Sequence, residues 1–116
     1  MAQFEDLTVW KDAHAIALQV YELTKALPAH EQYGLISQMR RAAVSIPANI
    51  VEGQERQGPK DFQRFIDIAL GSAAELRYFL ILIRDLGYLT EADASPVASK
   101  LAGLSRMLRT FRNSRQ

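Results

Sequence analysis

Apolar residues recur along this chain at steps of three and four. Val9, Ala13, Ile16, Val20, Leu23 and Leu27 form one series, with Lys11, Gln19 and Glu22 on the other side and Pro28 closing the run. A second series, Leu35, Met39, Ala42, Ile46, Ile50 and Gly53, ends near the breaker pair Gly58 and Pro59. The third opens after Pro59 and runs Phe62, Ile66, Ala69, Ala73, Leu76, Leu80, Ile83. It stops at Gly87, the residue type that accepts a left-handed conformation just past a helix end. The fourth holds Val97, Leu101, Leu104, Leu108 and Phe111. Its start has two candidates: Thr90 as N-cap, with acids in the first turn and a kink at Pro96, or Ser95 with Pro96 in the first helical position. The first is favoured.

These series predict helices over residues 6–27, 31–57, 60–86 and 90–113. No stretch alternates with period two long enough for a strand, and the connections are short. The expected fold is therefore a single all-α domain, an up-down-up-down four-helix bundle with a proline-kinked second helix. Trp10, Leu18 and Tyr21, Val44 and Val51, and Phe65, Phe79, Leu82 and Leu86 widen the apolar stripes beyond the roughly 100° that one seam needs. That surplus predicts burial between subunits, hence a homo-oligomer; the alternative reading is a thick core in a monomer whose Trp and Tyr shield its edge.

Pro47 interrupts the second series. It removes the N–H that would bond the Ala43 carbonyl and disfavours helical angles at Ile46, at about 3 kcal/mol in a helix interior. Either SIPAN separates two short helices, or one helix continues through a kink. Continuity is favoured, because Leu35, Met39 and Ala42 before the proline share a face with Ile50 and Gly53 after it. A polar line, Arg41, Ser45, Asn49, Glu52 and Arg56, also crosses the kink at helical spacing, so its members can bond one another. Ser45 or Asn49 is placed to cap the freed carbonyl or the following turn. The line reads as a structural polar seam of Ser45, Asn49 and Glu52. The competing reading, a catalytic strip with Glu52 as base, lacks a nucleophile, histidine or metal-ligand partner.

Composition adds the class. The chain has 116 residues, 48% hydrophobic and 23% charged, an ordinary globular mix. It contains no cysteine, which excludes disulfides, thiolate zinc sites and cysteine nucleophiles. The acidic MAQFEDLTVWKD opening is unlike a signal peptide, and no apolar run approaches the roughly 18 residues of a membrane span. A soluble, cytoplasmic protein with no membrane association is expected.

The net charge of +1 hides an asymmetry. Residues 1–96 hold nine basic and thirteen acidic side chains, whereas residues 97–116 hold Lys100, Arg106, Arg109, Arg112 and Arg115 and no acid. The four arginines step by three, sweeping about half the helix circumference. They form a candidate phosphate-binding flank for RNA or DNA, or else simply cations suited to a helix C-terminus. Arg40, Arg41, Arg56, Lys60 and Arg64 form a second candidate patch, diluted by Glu52, Glu55, Asp61 and Asp67.

Enzyme motifs are missing. Neither His14 nor His30 follows a glutamate three residues earlier, as a di-iron bundle requires. There is no HExxH and no GxxxxGK[ST]. No arginine precedes either histidine as in helical ribonucleases. No enzyme, no metal and no cofactor are expected.

Four segments carry a resemblance: FEDLTVWKDA, LPAHEQYGLISQMRRAAVSIPANIVEGQER, FIDIALGSAAELRYFL and LGYLT. They resemble the four-helix bundle protein family, also called the ribosomal large-subunit RNA intervening-sequence proteins, from Phe4 to about Leu89. The most specific piece runs from Gln38 through Arg40, Arg41, Ser45, Ile46, Pro47, Asn49, Ile50, Glu52 and Gly53 to Arg56. The resemblance implies an up-down bundle with the proline inside helix two and assembly as a homopentamer. A subgroup is similar to the accessory variability protein of diversity-generating retroelements, a basic ring that binds a reverse transcriptase and nucleic acid. The net charge of +1 departs from that basic character. Two functions follow as alternatives: an oligomeric scaffold for RNA, DNA or a nucleic-acid enzyme, or a protein-interaction or structural oligomer with no nucleic-acid role.

Overall fold

Pro28 and Gly34 reset the chain between the first two helices of a computed structural model that describes residues 3–115. Helix α1 spans Thr8–Thr24. Beyond it the amides of Lys25, Ala26 and Leu27 bond carbonyls three residues back, tightening the chain before Pro28. The expected helix to residue 27 thus ends three residues early, because the residue preceding a proline avoids helical angles. Its start is also later than expected. Residues Phe4–Asp6 form a 3-10 turn, and extended Leu7 separates them from α1. Phe4 packs edge-on against Trp10 at 5.1 Å and holds that turn against the helix.

The second helix was expected from residue 31. Instead Ala29–Glu31 is a 3-10 turn and Gln32–Ile36 a π-helical turn, and α2 proper is Ser37–Gln54. Gly34, at φ −108° and ψ −110°, departs from helical angles, and a Cβ there would lie 2.7 Å from Glu31 Oε1. Glycine is therefore the residue that lets Glu31 cap the Leu35 amide. Helix α2 runs unbroken through Pro47, as the shared face of residues before and after it predicts.

Helix α3 spans Pro59–Asp85, opening on the proline that a first helical turn tolerates. It ends in a Schellman motif: Gly87 takes φ +79°, its amide bonds the Arg84 carbonyl, and the Tyr88 amide bonds that of Ile83. Helix α4 spans Glu91–Arg112 and continues through Pro96. Thr90 is its N-cap, in a reciprocal capping box with Asp93.

Four helices and, among the described residues, no strand make an all-α bundle measuring 44 × 24 × 20 Å. Its core follows the predicted faces, with Leu23, Leu35 and Phe111 only half-buried and Ala17, Ile36 and Ala43 added. Met39, Ile46 and Ile50 of α2, Phe62, Ile66 and Leu76 of α3, and Leu101, Leu104 and Leu108 of α4 close over Ile16 and Val20 of α1. Buried Gly53 lets α3 approach α2: a Cβ there would sit 3.2 Å from Ile66 Cδ1 and 3.3 Å from Phe65 Cβ. No helix of the described residues is long and apolar enough to cross a membrane.

Candidate nucleic-acid interface

Nothing acidic follows Asp93, so the last turns of α4 carry cations where the helix dipole favours them. The bundle then sorts these cations by what packs beside them. Arg112 meets Asp67 of α3 through both Nε and Nη2, the latter 3.1 Å from Oδ2. The hydrogen bond to Asp67, more than the carboxylate's charge, raises the Arg112 pKa, with desolvation working against it. Arg115 turns back across the bundle end. Its Nη1 donates to the Arg56 carbonyl at 2.8 Å, and its guanidinium lies 4.3 Å from the centre of the buried Phe62 ring. Gln63 Nε2 fastens the same tail by donating to the Arg115 carbonyl at 3.1 Å. These two arginines are engaged within the subunit.

Lys100, Arg106 and Arg109 are exposed and form no ion pair among the described residues. They do not form one cluster. Lys100 and Arg109 are nine residues apart, which puts them about 180° around the helix from each other. Lys100 borders the α1–α4 groove beside Asp12. Arg106 and Arg109 are about 60° apart and do share a side. Sequence reasoning missed a further exposed cation without an ion pair among the described residues, Arg77 of α3, which lines the groove against α4 beside Ile81 and Ala98. It stands level with Ala94, Ser95 and Ala98 in the first half of α4, a placement that only the packing of α3 on α4 creates, so no local spacing signals it.

The second candidate patch is dispersed. Arg40 donates from Nε to buried Thr24 Oγ1 at 2.9 Å and from Nη2 to the Tyr21 carbonyl, with its guanidinium 4.6 Å from the Tyr21 ring centre. Arg56 pairs with Glu52 at 3.0 Å and lies 3.7 Å from Asp61. Arg64 takes the same Asp61 at 2.9 Å, and both guanidinium groups rest on Phe65. Arg40 and Arg56 are separated by about 24 Å of helix axis. Arg41 and Lys60 are exposed without an ion pair among the described residues.

The polar line has two bonded pieces. Asn49 Nδ2 donates to the Ser45 carbonyl at 2.8 Å and to Ser45 Oγ at 3.0 Å, and Ser72 of α3 donates to Ser45 Oγ at 2.7 Å. Asn49 therefore caps the Ser45 carbonyl rather than that of Ala43. Glu52 bonds only Arg56 among the described residues, and Arg41 joins neither piece. His14 stacks on Trp10 at 5.0 Å, whereas His30 sits at the far end of α1 against the Tyr88 hydroxyl at 3.3 Å. No group of three or more His, Asp or Glu among the described residues is placed to hold a metal ion.

No match is found among curated proteins. A solved structure from Bacteroides thetaiotaomicron, a protein of unknown function of the S23 ribosomal protein family, superposes with a TM-score of 0.84. It is 27% identical, and the match covers 92% of this chain and all of that one. The family model for the 23S rRNA-intervening sequence protein matches residues 5–110. That span takes in all four core stripes, the proline-bearing α2 and the Thr90 cap, and by it the chain belongs to the 23S rRNA-intervening sequence protein family.

Proposed function

We propose that this protein is a non-enzymatic helical scaffold that self-associates and presents the exposed end of α4 to RNA or DNA phosphate, or to a nucleic-acid enzyme. The observation that carries the reading is the division among the C-terminal arginines. Arg112 and Arg115 are engaged within the subunit, whereas Arg106 and Arg109 stand exposed on one side of α4 with no ion pair among the described residues. Cations left free by the fold are the ones available to displace counterions from a phosphate backbone. Self-association multiplies a two-arginine footprint, too small for firm binding alone, into a repeated one.

A second reading, a protein-interaction or structural oligomer with no nucleic-acid role, draws on the exposed apolar side chains. Tyr33 is 95% exposed and Leu18 60%.

The test is binding of labelled structured RNA and duplex DNA at about 50 and about 200 mM salt. Wild type is compared with an Arg106→Glu, Arg109→Glu variant of the same mass by light scattering. Binding that weakens with salt and is lost in the variant supports the scaffold reading. No binding by wild type at the lower salt removes it in favour of the second.

A further inference from the structure

The π-helical turn at Gln32–Ile36 forms one wall of a groove of about 530 Å³ between the end of α1 and the start of α2. A single π turn is frequent at functional sites, because it re-aims side chains that a regular helix would keep in register. Here it presents Tyr33, which is 95% exposed. From Tyr33 the chain steps by four to Ser37 and again to Arg41, so a ring, a hydroxyl and a guanidinium line the same groove. Roughly 12 Å of helix axis separates the first from the last. On the α1 side the Tyr21 ring carries the Arg40 guanidinium at 4.6 Å. Arg40 Nε and Nη2 bond Thr24 and the Tyr21 carbonyl, which fixes the group and leaves Nη1 without a bond among the described residues.

Charge decides what such a groove takes. None of the described residues lining it is acidic, and Arg41 is exposed with no ion pair among them. The carboxylates nearest in sequence are engaged elsewhere, Glu22 with Lys25 at 2.9 Å and Glu31 with the Tyr88 hydroxyl and the Leu35 amide. Two guanidinium groups with no carboxylate beside them complement a phosphate. The bare Tyr33 ring adds a flat platform on which an aromatic base stacks. Duplex nucleic acid pairs its bases inward and leaves that platform uncovered.

We infer that this groove binds a free nucleoside phosphate, its base stacked on Tyr33, its phosphate held by Arg41 and Arg40, and Ser37 beside the sugar between them. Gln32, exposed next to Tyr33, supplies an amide donor and acceptor for the edge of the base. The lining matches one nucleotide. It holds one nearly bare ring and one guanidinium without an ion pair, whereas single-strand binding repeats such contacts along a track. Its volume falls within the roughly 300–1,000 Å³ of small-molecule sites. The inference goes beyond the function proposed above and does not depend on it. The groove lies at the α1–α2 connection, whereas Arg106 and Arg109 lie toward the opposite end, where Arg115 meets Arg56 at the close of α2.

The experiment is calorimetric titration with adenosine monophosphate, adenosine, ribose phosphate and a single-stranded oligoadenylate. The proteins are wild type, Tyr33→Ala, Arg41→Glu and the Arg106→Glu, Arg109→Glu variant, each shown by light scattering and melting curves to share the wild-type mass and fold. Adenosine monophosphate should bind wild type, and adenosine and ribose phosphate should each bind about tenfold more weakly, since each makes half of the contacts. Tyr33→Ala should weaken the nucleotide by about fivefold or more. Arg41→Glu should weaken it by about tenfold or more, and the α4 variant should bind it like wild type. No binding of the nucleotide at millimolar concentration overturns the inference and leaves the scaffold reading intact. Ribose phosphate that binds as tightly as the nucleotide overturns the stacking on Tyr33. Binding that survives both groove variants but is lost in the α4 variant overturns the location. An oligoadenylate held far more tightly than the nucleotide, and released by Arg41→Glu, makes the groove a strand surface and overturns the free ligand.

Discussion

The Ser72 hydroxyl donates to that of Ser45 across the α2–α3 interface at 2.7 Å, and the same Ser45 oxygen accepts from Asn49 at 3.0 Å. This bridge lies two residues before Pro47, where α2 has given up a backbone hydrogen bond. The polar contact and the buried Ile46 and Ile50 on either side hold the proline-bearing turn against α3.

Ser72→Ala and Ser45→Ala are each expected to lower unfolding free energy by about 1 kcal/mol, the net worth of a half-buried hydrogen bond. The double variant should cost little more than the worse single, because both remove the same contact. Urea denaturation of all four proteins measures the coupling. A coupling near zero would mean that the two hydroxyls meet without stabilising the fold.

Two helical glycines should respond oppositely to alanine. At Gly53 the new Cβ would press on Ile66 and Phe65 at 3.2 and 3.3 Å in a buried contact. Overpacking costs of about 1–3 kcal/mol exceed the helix-propensity gain of about 1 kcal/mol, so Gly53→Ala should destabilise. At Gly103 the nearest atom is the mobile end of Arg106 at 3.8 Å, leaving the propensity gain unopposed. Gly103→Ala should therefore raise stability by about 0.5–1 kcal/mol. Thermal denaturation of both variants checks the signs.

The features legible in the sequence are those set by neighbours three or four residues away. The core stripes, the passage of α2 through Pro47 and the Thr90 cap all follow from such spacings, as do the Arg56–Glu52 and Arg64–Asp61 pairs. The π-helical turn at Gln32–Ile36 did not, because the apolar period of Leu35 and Met39 continues smoothly and conceals the backbone change at Gly34. The fate of the α4 arginines was also hidden. Arg112 finds Asp67 at a separation of 45 residues and Arg115 the Arg56 carbonyl at 59, pairings that exist only once α4 has docked. Spacing showed where the charges stand around one helix, and packing decided which remain free.

Tyr88 links the two loops at one end of the bundle by donating its hydroxyl to Glu31 Oε2 at 2.9 Å. That hydrogen bond, then desolvation and the Glu31 charge, raise its pKa above the ordinary tyrosine value of 10. A group whose pKa is raised on folding contributes stability fully present below its unfolded pKa and lost as pH rises through the folded one. Stability should thus hold up to about pH 10 and fall above it. Tyr88→Phe should begin less stable and lose that part of the alkaline decline. Melting curves at stepped alkaline pH make the comparison, and an identical decline in both proteins would show that Tyr88 is not its source.

Arg109 and Arg112 are one turn apart on α4, yet reversing each charge should disturb different properties. Arg112→Glu places a second carboxylate against Asp67 and removes a two-pronged contact, so it should lower the melting temperature. Arg109→Glu breaks no contact among the described residues and should leave stability within about 0.5 kcal/mol of wild type. RNA binding at low salt should show the reverse order, with the larger loss in Arg109→Glu, because only an unpaired guanidinium is free to release counterions. Asp67→Asn separates the two effects in one protein: it frees Arg112 without removing its charge. It should lower stability while strengthening RNA binding, and a variant that gains no affinity would mean that this end of α4 does not face the nucleic acid.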